Sequence, residues 1–188
     1  MTSFAKYFLI VFLTFSPFGS MTWAFEDDLL GDGTGEQFGF VPNRSWQEGD
    51  FALPPMPSEK NLILVKIFEM PQYRYFIDQR SLNVSANDNV ARYTIVIMPP
   101  SGLRNVFYEG IRCDTNEYKI YATALWGEQF NAIANSKWNA IVDKGVNVYR
   151  HDLFKYFLCH NSLIKANKKD ILQALRYPPD NFIEDELE

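Results

Sequence analysis

From Asn61 the apolar positions first follow a strand-like period and later a helical one. "NLILVKIFE" is a short apolar run closed by Met70-Pro71, and "YRYFIDQ" is aromatic and β-favouring. "SLNVSANDNV" follows, and its Asn-Asp-Asn cluster suits a hairpin turn. "ARYTIVIM" puts Tyr93, Ile95 and Ile97 on one face and Thr94 and Val96 on the other. After the turn signal "PPSG" comes "LRNVFYEGIRC", where Leu103, Phe107, Ile111 and Cys113 share a parity opposite Arg104, Tyr108 and Arg112. Gly110 inside that run marks a bulge, because a glycine packs poorly within a strand. "EYKIYATALW" supplies a further strand. Short connections between successive strands favour antiparallel pairing, since parallel neighbours need long crossovers.

The period then changes. "EQFNAIANSKWNAIV" carries Phe130, Ile133, Ala134, Trp138 and Ile141 near a helical spacing. In "NVYRHDLFKYFLCHN" the stripe Tyr149, Leu153, Tyr156, Phe157 is clearer, and "KKDILQALRYPPD" makes a last short helix closed by prolines. Strands followed by helices predict an α+β domain: an antiparallel β-sheet of about five strands, followed by two or three helices packed on one face. Residues 61–177 form that single domain, without internal repeats, and residues 178–188 are an acidic tail expected to fray.

The N-terminus has a different character. Lys6 precedes an apolar run from Tyr7 to Phe18, too short for the ~20 residues that span a bilayer as a helix. Thr22 and Ala24 then occupy the positions of a cleavage site, followed by Glu26, Asp27 and Asp28. Residues 1–24 therefore read as a secretory signal peptide cut after Ala24, with an uncleaved anchor as the competing outcome. No cysteine follows to accept a lipid. Residues 25–60, rich in Gly, Pro and acids, read as a flexible leader that Phe38, Phe40, Trp46 and Phe51 pin in places to the domain. Its acids do not have the spacing of a calcium loop.

The formal net charge is −5, and loss of residues 1–24 removes Lys6 and no acid. With no basic run, nucleic acid is not expected as a partner, nor strong membrane association after signal cleavage. Export bears directly on Cys113 and Cys159, the two cysteines of the chain. In an oxidising compartment they pair in the one way open to them, and a crosslink over so long a loop is worth about 4 kcal/mol in the chain-entropy model. The competing reading is a Cys159 thiolate served by His160 or His151. On one helix adjacent residues point about 100° apart, and residues eight apart lie about 12 Å apart along the axis, so neither histidine suits. The four residues have no standard metal spacing, and neither metal nor cofactor is expected.

Asp78, Glu109, Asp114 and Glu117 near strand ends offer a carboxylate pair for acid–base work, but chance placement among 23 acids explains them equally well. Tyr73, Tyr75, Tyr108, Tyr118, Tyr121 and Trp126 on strands, with Arg104 and Arg112, are candidates for a binding surface for peptide or glycan. The plainer alternative is that the aromatics fill the core and the arginines pair with Glu109 and Glu117.

The run "RYFIDQRSLNVSANDNVARYTIVIMPPSGLRNVFYEGIRCDTNEYKIYA", followed by a Trp and the cysteine of "YFLCH", resembles the cryptic-neisserial-protein-like family over roughly residues 61–165. "NVFYEGIRCDTNEYKIYA" is its most specific part. The resemblance implies a Gram-negative envelope protein exported to the periplasm and brings no catalytic residues. The family is often lipid-anchored, and this chain departs in lacking the acceptor cysteine. The expectation is a non-enzymatic periplasmic module that binds an envelope protein or cell-wall component. A small-ligand carrier and a thiol- or carboxylate-dependent hydrolase are the alternatives.

Overall fold

The computed structural model describes residues 45–67, 69–165 and 167–185. The expected signal peptide and residues 25–44, with Phe38 and Phe40, lie outside the described residues. The strands are β1 (Leu62–Val65), β2 (Arg74–Asp78), β3 (Asn83–Ser85), β4 (Val90–Met98), β5 (Asn105–Arg112), β6 (Glu117–Leu125), β7 (Asn131–Ala132) and β8 (Asn139–Ala140). They form one antiparallel sheet in the order β1-β2-β4-β5-β6-β7, with β3 on β4 and β8 on β6. After it come α1 (Val148–Asp152), β9 (Cys159–His160), β10 (Leu163–Ile164), α2 (Lys168–Arg176) and α3 (Asp180–Asp185). The class is α+β, with an eight-stranded sheet rather than one of about five. The additional strands are short pieces that single-sequence periodicity does not resolve.

Turn chemistry fixes the register. Asn89 and Asn116 adopt φ of +57° and +54° in the tight turns before β4 and β6, a conformation asparagine tolerates. Gly102 closes the Pro99 turn with a 2.9 Å hydrogen bond to Pro99 O at φ +80°. The bulge expected at Gly110 lies instead on the partner strand: between Tyr108/Ala122 and Glu109/Ile120 the register of β6 shifts, leaving Tyr121 as the extra residue. Gly110 serves that bulge from across the ladder. A Cβ there would lie 2.8 Å from the Tyr121 hydroxyl and 3.1 Å from Val90 Cγ1, so only glycine leaves room for the tyrosine ring.

The helical layer covers one face. Tyr75, Ile77, Tyr93, Ile95 and Ile111 pack there against Tyr149, Leu153, Phe157, Ile171, Leu175 and Phe182. Asn167 caps α2 by accepting from the Asp170 amide. The stripe Tyr149, Leu153, Tyr156, Phe157 is buried, but after α1 the chain widens into a π-helical turn, Leu153–Leu158, which buries Tyr156, Phe157 and Leu158 in succession. Cys159 is already extended and bonds to Cys113, with Cα atoms 5.6 Å apart across a separation of 46 residues. Both half-cystines are buried.

Two expectations fail. Residues 128–142 form no helix: Asn135 turns at φ +56°, and the backbone bridges at β7 and β8 pair with the outer edge of β6. Four side chains there (Asn131, Asn135, Ser136, Asn139) compete for backbone hydrogen bonds, which disfavours a helix. The tail does not fray from residue 178. Pro178-Pro179 start α3, whose Phe182 is fully buried against Tyr156 and Phe157 at ring distances of 4.9 and 5.1 Å.

Inside the helix-facing core sits a charge. Glu109, fully buried, accepts from Arg150 Nη2 (2.7 Å) and Nε (3.1 Å), Tyr93 OH (2.9 Å) and Tyr149 OH (3.3 Å). Burial and then the Glu109 charge push both tyrosines well above their ordinary pKa. Burial opposes the Arg150 charge, but Glu109 and the surrounding phenols more than offset it and raise the guanidinium pKa. Replacing Arg150 by Met strands the carboxylate and is expected to cost about 3–5 kcal/mol in urea unfolding. Adding Glu109→Gln to that variant should recover most of the loss, whereas a single-variant loss below about 1 kcal/mol would contradict the pairing.

Candidate functional site

The opposite face of the sheet is also covered, and this cover carries a second charged cluster. Residues 45–57 cross it without regular structure and are called the strap below. Met56 packs near Val96, Val106 and Ala124, while Phe51 lies on Tyr121 and Tyr108 at ring distances of 4.2 and 6.2 Å. Trp46 stands edge-on to Trp138 at 5.8 Å, stacks under the Arg112 guanidinium at 3.7 Å and donates its Nε1–H to Asp88 O at 2.8 Å.

The floor of the site is one row of the ladder. Arg92 on β4 pairs with Gly110 on β5, and Gly110 with Lys119 on β6, so two cations flank a glycine on the same face. The bulge turns Tyr121 over that glycine. Into this notch the strap delivers Glu48, which accepts from Lys119 Nζ (2.7 Å), Tyr121 OH (2.6 Å) and Arg92 Nη2 (3.4 Å). Asp88 binds Arg92 Nη2 at 2.6 Å and accepts the Gly49 amide at 2.8 Å. A Cβ on Gly49 would meet Asp88 Oδ2 at 2.9 Å, so a side chain there would have to shift the carboxylate that holds Arg92.

Burial alone would raise the Glu48 carboxyl, but hydrogen bonds from Lys119 and Tyr121 and the charges of Lys119 and Arg92 hold it below the usual range. Asp88 behaves likewise, with Arg92 as its main stabiliser against burial. Tyr121 is pushed far up by burial and by its bond to Glu48, so its proton is retained for donation. One guanidinium, one ammonium and one phenol thus converge on the single carboxylate of Glu48, each by a charge-assisted hydrogen bond.

The residues singled out from the sequence divide between the two faces. Tyr73, Tyr75 and Tyr118 belong to the helix-facing core; Tyr75 packs on Tyr149 at 5.2 Å, and burial raises its pKa to about 12. Arg150 covers the Tyr118 ring at 4.1 Å. On the strap face lie Arg112, bound to Asp114 at 2.7 Å, and the buried Tyr108. Arg104 pairs with Glu59 and stacks on Trp126 at 4.9 Å on that same face. They do not form one groove.

The four candidate acids are committed elsewhere. Asp78 accepts the Ser81 amide, Glu109 is bound by Arg150, Asp114 by Arg112, and Glu117 accepts from Thr115 Oγ1. His151 lies 3.4 Å from the adjacent Asp152, and His160 is exposed on the β9–β10 hairpin. Among the described residues no cluster of His, Cys, Asp and Glu has the arrangement of a metal site, and no helix is long and apolar enough to cross a membrane.

Sequence reasoning missed Glu48, Gly49, Arg92 and Lys119. The available signal was Arg92, a charge in the middle of the apolar run "VARYTIVIM" that needs a partner wherever that strand is buried.

The depressed carboxyls set a pH dependence. Groups whose folded pKa lies below the unfolded value stabilise fully above about pH 4.5 and lose that contribution as pH falls through the folded value. Glu48→Gln should cost about 2 kcal/mol at pH 7 and flatten the decline of stability between about pH 4.5 and pH 2. Urea titrations across that range check both, and parallel pH profiles for the two proteins would contradict the assignment.

Neither a curated protein nor a solved structure matches the chain. One family model does, over residues 41–176, an extent that takes in the strap, the sheet, both charged clusters and the disulfide. The chain belongs to the CNP1-like family.

Proposed function

We propose that the protein is exported, loses residues 1–24 and works in the periplasm as a non-enzymatic module that binds an envelope protein or cell-wall component. The observation that carries this reading is the buried Cys113–Cys159 bond, which joins the end of β5 to the segment after α1. Such bonds persist where the compartment is oxidising. The signal-like N-terminus points to the same compartment.

How the reactive groups are spent supports the non-enzymatic part of this reading. Both sulfurs are in the bond, and the candidate carboxylates hold turns, arginines or a neighbouring hydroxyl. What the strap face carries instead is recognition chemistry: the half-buried Trp46, Arg112, Lys119 and Trp138, with aromatic faces beside cations. No electrostatic attraction to nucleic acid or to anionic lipid is expected from a chain of net charge −5.

The test is expression of the full chain, tagged at its C-terminus, in a Gram-negative host. The expected product is recovered by osmotic shock, begins at Phe25, has no alkylatable thiol native or denatured, and crosslinks in the cell to an envelope component. A cytosolic product that retains Met1 and two reactive thiols would overturn the export reading. Co-purification of a small molecule without any crosslinked partner would replace the binding module with a carrier.

A further inference from the structure

Two buried arginines, Arg92 on β4 and Arg150 on α1, are used unequally. Arg150 gives Glu109 both Nη2 and Nε, at 2.7 and 3.1 Å, and spends Nη1 on Asn147. Arg92, only 2% exposed, meets Asp88 through Nη2 alone and reaches Glu48 at 3.4 Å through the same nitrogen. Its buried Nε has no hydrogen-bond partner, and neither does Nε1 of Trp138 beside the notch. A buried donor left without a partner costs about 1–3 kcal/mol. The acceptor Asp88 Oδ1 is also unpartnered, so the resident Glu48 leaves polar capacity of both kinds unused around Arg92.

The occupant is also only partly covered. Residues 45–57 join no strand of the sheet, Phe51 keeps 41% of its surface exposed, and the Glu48 side chain keeps 19%. Yet the strap fits side chain by side chain: Trp46 against Trp138 and Arg112, Glu48 in the notch, Gly49 against Asp88, Phe51 on Tyr121. That is the pattern of an extended peptide read by its residues.

We propose that Arg92, Lys119 and Tyr121 form a recognition site for the carboxylate of an acidic peptide, and that residues 45–51 are its resident intramolecular occupant. The ligand it takes is an extended segment with a glycine after the acid, an aromatic residue two positions before it and another three positions after it. The strap holds the site closed until such a segment from a partner replaces it. Because the strap is tethered, a competing peptide faces an effective concentration in the millimolar range. The proposal rests on the reading of the domain as a binding module and names the ligand of that module. In-cell crosslinking to a partner that persists while both measurements below fail would remove this site and leave that reading intact.

Two measurements on the full chain test it. In the first, thermal unfolding of Glu48→Ala is followed in sodium acetate and in sodium chloride at matched ionic strength. A saturable rise in Tm specific to acetate is expected, absent from the wild type and from Glu48→Ala/Lys119→Met. In the second, a labelled peptide SWQEGDFAL, or the same peptide with Gln for Glu, is titrated by anisotropy into Trp46→Ala/Glu48→Ala/Phe51→Ala. The Glu peptide should bind at least ten-fold more tightly than the Gln peptide, and at least ten-fold more tightly than it binds the wild type. A folded triple variant that ignores the peptide, or does not distinguish Glu from Gln, overturns the proposal. An acetate effect with no peptide binding assigns the notch to small carboxylates and overturns the peptide assignment. If the triple variant does not fold, the first measurement decides, and equal effects of acetate and chloride overturn the proposal.

Discussion

Two buried side chains of opposite charge, Arg92 and Glu109, stand on adjacent strands and point to opposite faces of the sheet. Each is nearly or wholly removed from water, where an unpaired charge costs several kcal/mol. The sheet thus needs a complementary charge above and another below. Asp88 meets part of the first need locally, four residues before Arg92; Glu48 meets the rest from 44 residues upstream. Arg150 meets the second from 41 residues downstream. Both covering layers are held to the sheet by charge as well as by apolar area, and each registers its layer at one point. Apolar contact alone would leave the layers freer to slide, since it is not directional.

The remaining fastenings gather at one corner. Cys113, at the end of β5, is bonded to Cys159, and its amide donates to Asn89 O at 3.1 Å. The Asn89 side chain then holds the β9–β10 hairpin, donating to Ser162 O at 2.9 Å and accepting the Ile164 amide at 2.7 Å. That hairpin turns through Asn161 and Ser162, both at positive φ, the pairing that suits a two-residue connection. One asparagine in a left-handed turn thus ties the sheet, the disulfide and the hairpin together. The helix before Cys159 is fixed at its far end by the bond and near its start by Arg150.

Legibility followed the range of the forces involved. The long strands, the Pro99–Gly102 turn, the stripe from Tyr149 to Phe157 and the proline-closed helix α2 depend on neighbours in sequence, and their residues announced them. The segment 128–142 misled because Phe130, Trp138 and Ile141 happen to fall near a helical spacing, while the edge of β6 takes their backbone instead. Phe182 was one apolar residue in an acidic run, and only the packing of Tyr156 and Phe157 reveals its role. The carboxylate notch was the least legible. Arg92, Gly110 and Lys119 meet only through strand register, and Glu48 reaches them from a segment whose composition reads as linker.

The docking of the strap by charge is tested most directly by amide exchange at Gly49 in the intact protein, whose N–H lies 2.8 Å from Asp88 Oδ2. At pH 7 this amide should exchange at least ~100-fold more slowly than in a free peptide of residues 45–53, as local opening of a docked segment requires. Exchange at the free-peptide rate would show that the strap does not rest on Asp88 and Arg92, and would contradict the account.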